Sequence, residues 1–190
     1  DDKTWVQGGV MYARPVNNLT ISNSILQNCW SSKEAGALYL QNGGTIGIKV
    51  INNTFINNTA YSAKVTNDND YGGGAVLVKG TNGPTVFINS TFINNTGNYG
   101  GGISFIQNSG TITLTNATFD GNKAIFGGQN CGLGGGIYAV VKVSLNNITF
   151  LNGEAALNGG VFYLGNVEAP YTYLSFINNT AVSGGGFYWD

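Results

Sequence analysis

A glycine pair followed by a short apolar stretch recurs seven times along the chain, and no other feature of the sequence restricts the fold as strongly. The copies are Gly8-Gly9-Val10-Met11-Tyr12, a weaker Gly36-Ala37-Leu38-Tyr39-Leu40, Gly73-Gly74-Ala75-Val76-Leu77, Gly101-Gly102-Ile103-Ser104-Phe105, Gly135-Gly136-Ile137-Tyr138-Ala139, Gly159-Gly160-Val161-Phe162-Tyr163 and Gly185-Gly186-Phe187-Tyr188-Trp189. Measured on the residue after the glycines, they lie 27, 38, 28, 34, 24 and 26 residues apart. A second signature alternates with the first: Phe55-Ile56-Asn57-Asn58, Phe92-Ile93-Asn94-Asn95, Phe119-Asp120-Gly121-Asn122, Phe150-Leu151-Asn152-Gly153 and Phe176-Ile177-Asn178-Asn179, with a degenerate Leu26-Gln27-Asn28-Cys29. Upstream of these runs an alternation of strand type, as in Ile46, Ile48 and Val50 or Ile112 and Leu114 between threonines.

A repeat of about 30 residues with three short strands and no helical period is one coil of a β-solenoid. A helical solenoid fits poorly, because Gly-Gly or Asn-Asn would interrupt each helix within a few residues. The sequence therefore predicts an all-β chain, a parallel β-helix of six to seven rungs with three short strands each, with residues 1–190 forming one domain. Length variation concentrates in connections, at 61–71 and 124–134 with shorter excursions at 79–84 and 165–170, where insertions leave the stack intact. Pro15, Pro84 and Pro170 fall in loops or at a strand edge, as paired strands require.

Only 9% of residues are charged, so something other than charge must keep the surface in solution. With one arginine, Arg14, and a net charge of -1, no basic patch exists to hold nucleic acid or an anionic membrane. No apolar run is long enough for a transmembrane helix. The chain opens Asp1-Asp2-Lys3 without an initiator Met, which reads as a mature product or an excerpt of a longer protein. Histidine is absent, and Cys29 and Cys131 lack metal-binding spacing, so no metal or other cofactor is expected. The two cysteines fall about three rungs apart, roughly 14 Å along the axis, too far for a disulfide unless 124–134 folds back.

Set in columns, Leu26, Phe55, Phe92, Phe119, Phe150 and Phe176 read as an aromatic stack filling the interior. The glycines read as a corner with positive φ or close backbone packing. Asparagines occupy three positions: Asn23, Asn52, Asn89, Asn116 and Asn147 three before the Phe column; Asn28, Asn57, Asn94, Asn152 and Asn178 two after it; Asn58, Asn95, Asn122 and Asn179 three after it. At least one of these columns is expected to be a hydrogen-bonded ladder closing a bend. Eight asparagines also match the N-glycosylation pattern, all ending in threonine: Asn18, Asn52, Asn57, Asn89, Asn94, Asn116, Asn147 and Asn178. Asn18, Asn57, Asn94 and Asn178 are the better candidates for covalent N-glycans. Asn52, Asn89, Asn116 and Asn147 would crowd glycans on consecutive rungs, and the alternation Ile112, Leu114, Asn116 points that column inward unless a bend intervenes.

Three other classes find little support in the residues. A polysaccharide-degrading β-helix enzyme needs clustered carboxylates with a basic partner, whereas Asp120, Glu154 and Glu168 are isolated in sequence and Asp68 and Asp70 share an inserted loop. That loop is a weak Ca²⁺ candidate, without a bidentate glutamate. Ice binding calls for a Thr-x-Thr pair in each rung, and only Thr111, Thr113 and Thr115 supply one.

The Phe-x-x-Asn and Gly-Gly-Ala-[Ile/Leu/Val] signatures, matched in full by Gly73-Gly74-Ala75-Val76, resemble the repeats of chlamydial polymorphic outer membrane proteins and of similar proteins in other bacteria, protists and algae. The other copies with a glycine pair replace Ala, and Phe150 lacks its Asn. The resemblance implies a right-handed parallel β-helix in an extracellular adhesin or surface protein and carries over no catalytic residue. The expectation is a non-catalytic structural or adhesive glycoprotein of the cell surface, reached through the secretory pathway. Its open terminal rungs would continue into a longer solenoid or stack end to end in a filament.

Overall fold

The computed structural model describes residues 8–14, 17–41, 44–61, 72–125, 131–165 and 169–190, and it is a parallel β-solenoid. A seven-stranded sheet carries the segments after the glycines, from Met11–Ala13 through Leu38–Leu40, Val76–Lys79, Ile103–Ile106, Ile137–Ala139 and Phe162–Leu164 to Phe187–Trp189. A long sheet holds the alternating and Phe-centred segments, separate strands in early rungs (Gly47–Ile51 and Thr54–Ile56) and merged in later ones (Ile112–Asp120, Val143–Leu151, Tyr171–Ile177). A short five-stranded sheet of two-residue strands, among them Thr59–Ala60 and Thr96–Gly97, completes the coil. Five coils pass through all three sheets, with a partial rung before them (Met11–Ala13) and another after them (Tyr171–Ile177 and Phe187–Trp189).

Single residues in the left-handed region turn the corners of the long sheet. Asn23, Asn52, Asn89, Asn116 and Asn147 have φ between 49° and 55°, and Asn28, Asn57, Asn94, Asn152 and Asn178 between 50° and 55°. Asn is the side-chain-bearing residue that best tolerates this conformation. The bend overturns the inward expectation for the first column. A left-handed residue breaks the period-two alternation, so Asn116 is exposed and Ala117, next in line, points inward at 2% exposure.

The aromatic stack is present. Phe55 and Phe92 lie with ring centroids 4.7 Å apart, Phe92 and Phe119 4.6 Å, Phe119 and Phe150 5.2 Å, Phe150 and Phe176 5.2 Å. Leu26 and the first four rings are buried, whereas Phe176 is 39% exposed, because the sixth coil has no complete rung over it. The asparagines three after the Phe column form a buried ladder: Asn58 Nδ2 donates to Asn95 Oδ1 at 3.0 Å, and Asn95 Nδ2 to Asn122 Oδ1 at 2.9 Å. Each Nδ2 also reaches the carbonyl of a Phe-column residue one rung back, Leu26, Phe55 or Phe92. The ladder breaks at Gly153, where a Cβ would lie 2.0 Å from Val161 Cγ1. Val161 stands where neighbouring rungs carry Gly136 and Gly186, so its bulk fills the room the missing Asn leaves.

The register corrects the alignment of the glycine motif. Met11, Leu38, Val76, Ile103, Ile137, Phe162 and Phe187 share one column, so Ala75 is level with Gly102 rather than with Ile103. The strand between them has both faces buried. Its inner face joins the main core, and its outer face packs Tyr39, Leu77, Tyr138 and Tyr163 with Tyr99, Cys131 and Leu133 into a second apolar cluster. Cys29 borders the main core while Cys131 lies in the outer cluster, and the two form no disulfide with each other.

One rung departs from the corner rule. Tyr173 occupies the place of Asn147 in the next coil, with φ 53° and 83% exposure, a strained conformation for a bulky side chain. Tyr173→Asn is therefore expected to stabilise the fold by about 1 kcal/mol, read as a higher urea midpoint at unchanged m-value.

Candidate functional site

The residues around each Phe form a constant hexad: Asn52-Asn53-Thr54-Phe55-Ile56-Asn57, Asn89-Ser90-Thr91-Phe92-Ile93-Asn94, Asn116-Ala117-Thr118-Phe119-Asp120-Gly121 and Asn147-Ile148-Thr149-Phe150-Leu151-Asn152. Both ends are left-handed corners and Phe points inward, so positions three and five point outward. Thr54, Thr91, Thr118 and Thr149 lie in register in one line, followed by Ser175, and Ile56, Ile93, Asp120 and Leu151 in a second, followed by Ile177. The four threonines and Ile56, Ile93, Asp120 and Leu151 are half-exposed. In the sequence each of these threonines reads only as the third residue of a sequon, and that hides the column.

The geometry gives the sequons a structural origin. A left-handed corner selects Asn, the next residue faces inward, and the one after it faces outward on a strand, where a β-branched Thr fits. The same logic places Thr59 and Thr96, two residues after Asn57 and Asn94, on the outer face of the short sheet.

All eight sequon asparagines are exposed. In the first column the amides form an outer ladder: Asn52 Nδ2 donates to Asn23 Oδ1 at 3.1 Å, Asn89 to Asn52 at 3.2 Å, Asn116 to Asn89 at 3.1 Å and Asn147 to Asn116 at 2.9 Å. The second column is looser, with 3.4 Å from Asn57 Nδ2 to Asn28 Oδ1. Gly121 interrupts it, and Asn152 donates to Asp120 at 2.8 Å instead. Asn18 opens the strand Asn18–Ser22.

The carboxylates considered for catalysis fall on different sheets. Asp120 lies on the long sheet, and Glu154 on the short sheet pairs with Lys123 at 2.9 Å. Arg14 follows a strand of the seven-stranded sheet, its guanidinium held charged by the Tyr12 hydroxyl. Glu168, Asp68 and Asp70 lie outside the described residues. Among the described residues no three His, Cys, Asp or Glu side chains group together, and no helix is long and apolar enough to cross a membrane.

Sequence reasoning missed one polar pair. Glu34 is 4% exposed and lies 3.7 Å from Lys79 Nζ, beside Tyr39, whose hydroxyl donates to Gln41 Oε1 at 3.4 Å. Glu34 and Lys79 are far apart in sequence and meet only through rung pairing. Burial pushes the phenols of Tyr39 and Tyr163 up, and that of Tyr171 up to about 12. Because the folded state holds the Tyr171 proton more tightly than the unfolded chain, with its phenol near 10, the stabilisation from Tyr171 is complete below about pH 10 and is lost as pH rises through about 12. The thermal midpoint should fall across that window, and Tyr171→Phe should shallow the fall.

No family model matches the chain, and neither a curated protein nor a solved structure matches it.

Proposed function

We propose that the chain is a non-catalytic extracellular β-solenoid with a structural or adhesive role, carrying N-glycans at Asn18, Asn57, Asn94 and Asn178. The observation that carries this reading is the set of exposed sequons on a surface of low charge, whose amides in the second column are only weakly tied. The separate placement of Asp120, Glu154 and Arg14 supports the non-catalytic part, and the resemblance to surface-protein repeats supports the location. Among the described residues the outer strands Met11–Ala13 at one end and Phe187–Trp189 at the other pair on one side only, and a further rung, from continuing chain or from a second copy in a filament, fits there.

The test is the intact mass of the chain secreted from a eukaryotic host, before and after peptide N-glycosidase. A loss of glycan mass, with conversion to Asp mapped to Asn18, Asn57, Asn94 and Asn178, is expected. An unchanged mass would remove the glycoprotein reading.

The buried Glu34 beside Lys79 favours a second reading, a carbohydrate-active enzyme working on the outer face of the seven-stranded sheet. It predicts release of reducing ends from a polysaccharide and loss of that release in Glu34→Gln.

A further inference from the structure

The outward strip of the hexads differs from the rest of the surface in having constant width. Every rung from Asn23 to Asn178 spaces its two corners five residues apart, while all length variation falls at the other corners. The result is a face of constant width, about 17 Å, with a line of Thr and a line of Ile56, Ile93, Asp120 and Leu151 in register, Asp120 being the one charged residue of the two lines. Along one margin runs the outer Asn ladder, in which Asn52, Asn89, Asn116 and Asn147 each donate one N–H to the asparagine of the preceding rung and keep a second N–H for another partner.

We propose that this face docks an ordered, uncharged, N-acetylated polysaccharide of the β-1,4-linked N-acetylglucosamine type, with one chain lying across each rung. The proposal rests on the adhesive reading above and names its ligand. Charge selects a neutral partner: the strip offers no cation to an anionic polymer and only Asp120 to a cationic one. Spacing selects an acetamide. The Asn ladder repeats at the strand spacing of about 4.8 Å because one amide-to-amide hydrogen bond joins successive rungs. Stacked polysaccharide chains whose acetamido groups bond C=O to N–H from chain to chain take their repeat from the same bond. The ligand's amide ladder can therefore run alongside the protein's without losing register. Glycans at Asn57 and Asn94 would stand at the opposite margin, which a chain lying across the rung must cross, so their presence is expected to weaken docking and binding is tested on protein without them.

The test uses the full chain made in bacteria, so that every asparagine is unmodified, in depletion assays with microcrystalline chitin, cellulose and deacetylated chitosan. Retention on chitin is expected to exceed that on the other two by at least about tenfold, and the double variant Thr91→Lys/Thr118→Lys should lose about tenfold while keeping its unfolding midpoint. Thr113→Lys, on the neighbouring face, should bind as the parent does. Equal retention on chitin and cellulose, no depletion, undiminished binding by the double variant, or freezing-point hysteresis without chitin binding would each overturn the proposal. In the secreted protein the ladder sequons Asn52, Asn89, Asn116 and Asn147 should be unmodified, and occupancy of all four would overturn it too. Glycan mass is read on different material, so failure here is distinguishable from failure of the glycoprotein reading.

Discussion

Gly101→Ala is expected to abolish the folded state. A Cβ at this position would lie 2.2 Å from the carbonyl oxygen of Gly135 and 2.5 Å from the backbone N and O of Lys123. All three contacts are backbone, so no rotamer change relieves them. Gly74 and Gly135 repeat the situation, each facing the carbonyl of the next glycine in the column, Gly101 and Gly160, at 1.9 and 2.1 Å. The coil closes with backbone against backbone, and a methyl group there forces two rungs apart. The expected cost is at least about 4 kcal/mol, a large part of a typical domain's stability. Thr113→Ala, outward on a neighbouring strand, should cost under about 1 kcal/mol. Urea denaturation followed by circular dichroism compares them. A Gly101→Ala protein unfolding within 1 kcal/mol of its parent, about the cost of an ordinary helix or strand glycine substitution, would refute the stacked-backbone corner.

Asn95→Asp is expected to be nearly as damaging at neutral pH, and its cost should depend on pH. Asn95 Oδ1 accepts from the backbone N of Asn58 at 2.9 Å and from its Nδ2 at 3.0 Å, while Asn95 Nδ2 donates to Phe55 O at 3.0 Å and Asn122 Oδ1 at 2.9 Å. A carboxylate would turn its second oxygen toward two acceptors in a fully buried site. The loss should be about 4 kcal/mol at pH 7. Burial and the facing acceptors raise the carboxyl's pKa in the folded state above the unfolded value of about 3.9. The folded state then binds the proton more tightly, so the penalty is smallest below about pH 3.9 and grows as pH rises through the folded pKa. Urea midpoints of variant and parent at pH 4 and pH 7 should converge at the lower value. An equal gap at both would mean that the ladder's donors are not what stabilises this site.

The columns that line the interior were legible in the sequence because each rung must repeat them. Phe92 stacks on its rung neighbours and Asn95 bonds to its own, so substitution in one rung is felt by two others. What depended on local backbone conformation was not legible. Asn116 continues an alternation in sequence and breaks it in space, because a left-handed residue reverses which face follows. The glycine register slipped where three glycines stand in a row, since Gly100-Gly101-Gly102 offers two pairs and only the strand partner of Ile103 chooses between them. Thr91 was read as part of a modification signal, and its place in an outward line appears only once Asn89 is known to be a corner. The pairing of Glu34 with Lys79 has no local signature, because the two are joined through the rung that contains the longest insertion.

Equivalent residues of successive hexads lie in one column along the solenoid axis. Thr54 and Ser175 are the same position four rungs apart, so nitroxide labels on cysteines placed there in a Cys29→Ser/Cys131→Ser background should report a single separation centred near 20 Å by pulsed electron resonance. A broad distribution, or a separation beyond about 30 Å, which four rungs cannot span, would contradict it.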